Sequence, residues 1–569
     1  MLNSFKNRSL IFLYITVFFC LSQPLWGKLT SDEIRLQQRV KSLLGVDTLA
    51  PEQQYGFQYQ LTVKALYNQL SPELQKTANT VIAMQVPERE YMVNSPSGHF
   101  RLHYDLDGIH AVPVADVSGN GIPDFVDSAA VFLDYAWQVE IEEIGFQPPL
   151  KADGSQATYM EIYFTNFPVA GLYGSTNFYE EIPSLTGYNY TSYIELHHTF
   201  QESALYTKGL DGMRVTCAHE FNHALQLGYR VWYNEDFSDI IDLFFFEMTS
   251  TWLEELLYRD INDYYQYLPG LFNNIQNTSI TNNNYPYIYA NGIFAIMLAE
   301  RYGPKIIVDI WKQIRTEPAI DAINTVLKKW DTSFSEELNE YGRWMYFTGE
   351  RSISGVFFED AVDFPMVKIH PALFFNGSRN ISTELNLTPR TFKYLEADSI
   401  VALRSLVKVD AGQSSGLRFN YFNDQLLDSK SSGADNATGV VLDFVPQDLV
   451  FVFSNTQSIS RTINFTLNTD TMIVPDPDSL RTRVAFGPNP AVINDGISKY
   501  FYNVIPGSSV YIMDLNQRPV RKLSNDLNVD AILQWDMRDD NGYLVNSGIY
   551  IYTVVNGRHR QSGKIAVVR

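Results

Sequence analysis

Cysteine is almost missing from this 569-residue chain: Cys20 and Cys217 are the only two. Cys20 falls inside an apolar run, Leu10 to Leu21, that follows the cations Lys6 and Arg8. That order reads as a secretory signal peptide over residues 1–27. Its removal leaves Cys217 alone, which excludes an internal disulfide framework. Long apolar runs are missing beyond the leader, so the mature chain is expected to have no transmembrane span. Basic charge is short as well: 43 Lys and Arg stand against 64 Asp and Glu, a net −21. Taking away the two leader cations gives −21 − 2 = −23. So acidic a surface excludes nucleic acid and anionic membranes as partners and suits a secreted or cell-surface protein. Histidine, finally, is scarce at nine residues, which gives weight to any place where two of them fall close together.

They do so in Arg214-Val-Thr-Cys-Ala-His-Glu-Phe-Asn-His-Ala-Leu-Gln-Leu-Gly-Tyr229, which contains His219-Glu220-x-x-His223. On a helix, residues four apart differ by about 40° around the axis and one turn along it, so both imidazoles can reach one ion. Glu220 stands beside the first, placed to act as general base on a water at that ion. With nine His, the pattern is expected by chance roughly 0.01–0.02 times in such a chain. Met213, Cys217, Phe221, Ala224, Leu225 and Gly228 put apolar or small residues at helical spacing, the pattern of a buried helix. Cys217 lies about 200° round from His219 and is expected to face away from the metal as a buried apolar residue.

Zinc catalysis takes three protein ligands and leaves one open position. The continuation that supplies a third His requires Gly at 226 and His at 229, where this chain has Gln226 and Tyr229. A Glu from a following helix is the other route. Phe246-Glu247-Met-Thr-Ser-Thr-Trp252-Leu-Glu254-Glu255 offers Glu247 and Glu254, seven apart and on one helix face, and spacing alone does not choose between them. His197 and His198 on an upstream strand are further candidates, at most one of which could face the site.

Asp116-Val-Ser118-Gly-Asn120-Gly121-Ile122-Pro-Asp124-Phe-Val-Asp127 has the spacing of a calcium loop. Side-chain oxygens stand at positions 1, 3, 5, 9 and 12, Gly at 6, and the Ile122 carbonyl at 7, with Asp where Glu is usual at 12. The bare alternative is an Asx-rich turn that caps the next helix, expected over 128–144. Alternating strands are expected over 98–104, 158–165 and 192–198.

In order, residues 28–95 read as a polar helical region, a propeptide or a structural collar, and 96–350 as the metal-bearing domain. From 365 to 475 short alternating strands with Gly, Asn, Ser and Asp turns suggest a β-sandwich accessory domain. A second small β-domain follows the linker Pro475-Asp-Pro-Asp-Ser479 and fills 480–569. The expected fold class is multidomain α+β: a zincin-like α/β catalytic domain followed by two β-sandwich domains.

Several of these motifs carry a resemblance. Glu-x-x-small-x-Trp-x-Glu after a His-Glu-x-x-His helix resembles the zinc peptidases whose third ligand is a glutamate (gluzincins), which implies Glu247 as the third ligand. Tyr289-Ala-Asn-Gly292 is similar to the Tyr-x-x-Gly of zinc aminopeptidases of that clan, which implies Tyr289, with Tyr287 in reserve, as a donor to the oxyanion; packing is the competing role. Gly98-His-Phe-Arg-Leu-His-Tyr104, the Asn-Gly-Ile-Pro-Asp loop, Cys-Ala-His-Glu-Phe-Asn-His and Glu-Met-Thr-Ser-Thr-Trp together resemble a family of secreted bacterial metalloproteases. Trp535-Asp-Met-Arg-Asp-Asp-Asn-Gly542, Ser547-Gly-Ile-Tyr-Ile-Tyr552 and the closing Gly563-Lys-Ile-Ala-Val-Val-Arg569 resemble the C-terminal sorting domain of the type IX secretion system.

The resemblance implies a secreted monomeric endopeptidase with zinc on His219, His223 and Glu247 and with Glu220 activating the water. Calcium would be structural, and the partners would be a protein or peptide substrate and the type IX machinery. The rival readings are a zinc hydrolase of a non-peptide amide or ester, and a non-catalytic adhesion or carbohydrate-binding surface protein with a structural metal site.

Overall fold

The computed structural model describes residues 86–167, 170–182, 189–232, 242–369, 372–374, 380–398, 405–410, 417–422, 432–433, 440–442, 449–468, 484–493, 499–516, 518–527, 531–556 and 559–569, with isolated positions between 61 and 76. The leader, most of the region 28–95 and the linker 475–479 lie outside the described residues. The chain mixes helices with several β-sheets and divides into two compact units, one running to Gln266 and resuming over Leu298–Ala322, the other made of Tyr267–Met297 and Ile323–Arg569. No helix among the described residues is long and apolar enough to cross a membrane.

The first unit is built on a five-stranded sheet in the order β1-β2-β3-β5-β4. Its strands are β1 (Tyr91–Asn94), β2 (Phe100–Tyr104), β3 (Met160–Thr165), β4 (Gly174–Glu181) and β5 (Tyr190–His197). β2, β3 and β5 run parallel, while β1 and β4 lie antiparallel at the two edges. The parallel strands need crossover connections, and the helix α1 (Asp124–Trp137) supplies the one between β2 and β3. α1 continues into a π-helical turn, Gln138–Glu143, so the helix expected over 128–144 begins four residues early and changes pitch near its end.

After β5 comes α2 (Gly209–Gln226), which carries His219 and His223. It packs on α1, β5 and β4. From Val215 to its end every residue of α2 is buried, so it is an interior helix and not an amphipathic one. Phe221 fixes its middle: its ring meets Phe100 of β2 at 5.2 Å and Trp137 of α1 at 5.7 Å between centroids. α3 (Leu243–Leu257) packs against α2 and is itself buried on nearly every side. Trp311 holds α3 from behind, donating through Nε1 to Thr249 Oγ1 at 3.1 Å and meeting Phe246 edge-on at 4.9 Å.

In the second unit, Phe451 and Phe453 of one sheet, order β11-β10-β13-β8-β6, meet Phe465 of the other, order β12-β9-β14-β7, at 5.0 and 5.5 Å. The first sheet comprises β6 (Ala372–Phe374), β8 (Thr391–Asp398), β10 (Leu417–Phe422), β11 (Ser432–Gly433) and β13 (Leu449–Asn455). The second comprises β7 (Asn380–Leu387), β9 (Ser405–Asp410), β12 (Val440–Leu442) and β14 (Arg461–Asn468). Alternation explains the arrangement: with Phe451 and Phe453 turned to the partner sheet, Val452 faces the other way. There a Cβ on Gly342, in the helix Phe334–Tyr346, would come within 2.8 Å of Val452 Cγ2. Residues 485–568 form two more sheets around one core that includes Phe501, Trp535, Val510, Tyr552 and Ile565.

Candidate metal centre

The buried helices α2 and α3 bring three ligand atoms to one point. His219 Nε2 lies 3.1 Å from His223 Nε2 and 3.1 Å from Glu247 Oε2, and His223 Nε2 lies 3.3 Å from the same oxygen. Four ligands about 2.0–2.1 Å from a tetrahedral ion stand about 3.3 Å from one another, so the spacing fits a zinc-sized ion and leaves a fourth position. Among the described residues this is the one group of three His, Cys, Asp or Glu side chains whose ligand atoms converge.

The other nitrogen of each imidazole is already taken. His219 Nδ1 is 2.6 Å from Glu254 Oε1, and His223 Nδ1 is 2.8 Å from Gln226 Oε1. Each Nδ1 therefore carries the hydrogen and donates it, which leaves both Nε2 lone pairs directed at the common point. Gln226 is held in turn: its amide nitrogen donates to Asn222 Oδ1 at 2.5 Å and to the Phe246 carbonyl at 3.0 Å. Asn222 donates to Glu140 Oε2 at 3.2 Å, and Glu140 Oε1 has no hydrogen-bond partner among the described residues.

The electrostatics follow from burial and from this packing. Burial works to raise the Glu247 carboxyl, but His223 and His219 outweigh it and hold that group well below its usual range. Burial pushes Glu254 up to about 7, against the pull of His219. Burial also opposes charge on His219, and its contacts with Glu247 and Glu254 overcome that and raise it. Glu140 is raised well above the carboxylate range by burial, which the Asn222 bond only partly offsets. Burial likewise pushes the Cys217 thiol up; it is a free, fully buried thiol, the apolar role expected of it.

The remaining candidates fall elsewhere. Glu220, 7% exposed, accepts a 2.7 Å bond from the Thr176 hydroxyl on β4. His197 Nδ1 accepts from the Thr199 and Phe200 amides, and His198 Nδ1 donates to the Ala111 carbonyl, so neither joins the converging ligands. Tyr289 lies in the second unit, in the short helix Tyr287–Ala290, its ring stacked on Tyr267 at 5.0 Å. In the Asp116–Asp127 loop the acids turn inward. Asp116 accepts from the Gly119, Asn120 and Gly121 amides, Asp124 from those of Val117 and Ser118, and Asp127 from Asn120 Nδ2. Gly119 and Gly121 sit at φ +71° and +85°, the left-handed turns that make this closure possible.

Sequence reasoning missed Gln226, Asn222, Glu140 and Thr176. Gln226 had a visible signal, a buried-side polar residue one turn after a ligand, between Leu225 and Leu227; Glu140 and Thr176 had none, since only the fold brings them to α2.

A family model described as "Family of unknown function (DUF6055)" matches residues 133–346, which span β3 to β5, α2 and α3. No curated protein matches this chain. Among solved structures, one similar chain is PorZ, a surface component of the type IX secretion system of Porphyromonas gingivalis. It is 20% identical, with 21% of this chain and 15% of that chain covered, at a TM-score of 0.15. Another is the extracellular region of zebrafish Gpr126/Adgrg6, 10% identical, with 34% of this chain and 30% of that chain covered, at a TM-score of 0.14. Scores this low do not extend to a shared fold.

Proposed function

We propose that this chain is a secreted zinc-dependent endopeptidase whose catalytic domain is of the zincin type. One observation carries the reading: two imidazole nitrogens and a carboxylate oxygen converge at 3.1–3.3 Å, with both Nδ1 atoms tied back by Glu254 and Gln226. His219, His223 and Glu247 would hold the ion. When bound, zinc supplies Lewis-acid activation of water and of the substrate carbonyl. Glu220, next to His219 on α2, takes a proton from the attacking water and returns it to the leaving nitrogen. A structural metal site would have no use for Glu220, which weighs against the adhesion reading.

The same reading proposes the type IX machinery as the export route, calcium on the Asp116–Asp127 loop, and Tyr289 as donor to the oxyanion, the last tested by Tyr289→Phe. The deciding experiment is cleavage of casein by the purified chain, with and without chelator, beside Glu220→Gln. Chelator-sensitive cleavage lost in the variant supports the peptidase. Equal cleavage by both proteins overturns the mechanism, and bound zinc with ester or amide hydrolysis but no peptide cleavage favours the hydrolase of a non-peptide substrate.

A further inference from the structure

The edge strand β4 touches α2 at Glu220, and it does so twice. Gly174 and Thr176, two apart on a strand, face the same side. A Cβ on Gly174 would stand 2.8 Å from Glu220 Cγ and 2.7 Å from Thr216 Cγ2, so the absent side chain is what makes room for the Glu220 stem. Thr176, fully buried, places its hydroxyl 2.7 Å from Glu220 Oε2 and also 2.7 Å from the Glu220 backbone carbonyl. A buried hydroxyl needs one acceptor, and the carbonyl alone would satisfy it. That the carboxylate is also brought to the same hydroxyl means that the Glu220 side chain is folded against β4 and held there at its tip.

From this geometry we infer that Thr176 is a positioning residue: its hydroxyl fixes the rotamer of Glu220 and so sets where the general base stands. The inference rests on the zinc-peptidase reading for its kinetic consequence. The Glu220 stem fills the space that a Gly174 side chain would take, which leaves the carboxylate at its end to be set by the Thr176 hydroxyl. A base displaced by about 1 Å loses on the order of 100-fold in rate, because its proton transfer depends on hydrogen-bond distance.

The test compares wild type, Thr176→Val, Thr176→Ser and Glu220→Gln, all zinc-loaded, on a quenched fluorescent peptide. Val keeps the β-branched shape suited to a strand and replaces the hydroxyl with a methyl group of similar size that cannot donate. The expected result for Thr176→Val is a kcat lower by about 10- to 100-fold, with KM within about twofold and one zinc per chain retained. Thr176→Ser restores kcat. A crystal structure of Thr176→Val then shows the Glu220 carboxylate moved from its place beside residue 176, a readout independent of turnover. Unchanged kcat in Thr176→Val, failure of Ser to rescue, loss of zinc, or an unmoved Glu220 each overturns the inference. If Glu220→Gln turns over as fast as wild type, the peptidase reading itself has failed, and the position of Glu220 in the Val variant still decides whether Thr176 holds it.

Discussion

Two stretches of this chain carry metal-ligand spacing, and the structure treats them in opposite ways. In the α2–α3 site the donor atoms are buried, converge on one point, and are held from behind by Glu254 and Gln226. In the Asp116–Asp127 loop Asp116 is exposed, Asp124 and Asp127 are half-buried, and all three spend oxygens on the loop's own amides. Spacing on a helix fixes direction, because the helix is rigid and its faces are set by its pitch. Spacing in a loop fixes only proximity, and backbone N–H groups compete for the same carboxylates. The first stretch therefore reads as a preorganised ligand set, the second as a self-capped turn that calcium would have to engage without disturbing.

The largest effect expected belongs to the buried site. Glu220→Gln lowers peptide cleavage by about 100- to 10,000-fold with zinc content unchanged, measured by turnover and metal analysis on one preparation. Glu247→Ala, by contrast, loses the ion itself. At free zinc about 1,000 times the dissociation constant, the stabilisation that disappears is about 4 kcal/mol, seen as a lower melting temperature that added zinc does not restore. The matched change in the loop, Asp116→Asn, should leave zinc content and turnover where they were. If it abolishes zinc binding, the contrast between the two stretches collapses.

How much of this was legible in the residues can be said element by element. The strands expected over 98–104, 158–165 and 192–198 are found at 100–104, 160–165 and 190–197, because alternation of apolar residues is a direct record of a sheet face. His219, His223 and Glu247 were legible for the same kind of reason: two lie one turn apart, and the third sits in a motif on the next helix. Choosing Glu247 over Glu254 took a resemblance, since seven residues return a helix to the same face. The structure places Glu247 Oε2 at the imidazole Nε2 atoms and Glu254 Oε1 on the other nitrogen of His219, so both share that face with different tasks. Thr176 and Glu140 were not legible. Their partners on α2 lie 44 and 82 residues away, and no local pattern marks a contact of that range.

A middle-sized effect would sharpen the comparison from the sheet side. Gly174→Ala puts a methyl group within 2.8 Å of Glu220 Cγ and 2.7 Å of Thr216 Cγ2, and both side chains must give way. Overpacking of this kind costs about 1–3 kcal/mol, read as a lower melting temperature, and kcat falls with it. In the loop, Gly121 meets no neighbour at its Cβ position, so Gly121→Ala is strained only through its φ of +85° and should leave turnover untouched.

The smallest effects separate the two regions by the sign of their response to pH. Glu140, buried beside α2, has a folded pKa raised well above the usual carboxylate value. The folded chain therefore keeps a proton that the unfolded chain has released, and stability falls as pH rises from the ordinary carboxyl range toward the raised value. Glu140→Gln, which still accepts from Asn222, removes that slope, so wild type should melt progressively lower than the variant as pH climbs. Asp116 has the opposite shift: amide bonds, that from Gly121 foremost, hold it below the usual range. Its contribution is present above the ordinary carboxyl pKa and disappears as pH falls through the depressed one, so wild type and Asp116→Asn should converge in acid. Melting curves of the three proteins across pH give the two slopes directly. Opposite signs mean that one carboxyl is stored neutral in the interior while the other works as an anion at the surface. Slopes of the same sign would show that Glu140 keeps its charge in the folded chain, and the buried network behind His223 would then have to contain a cation that balances it.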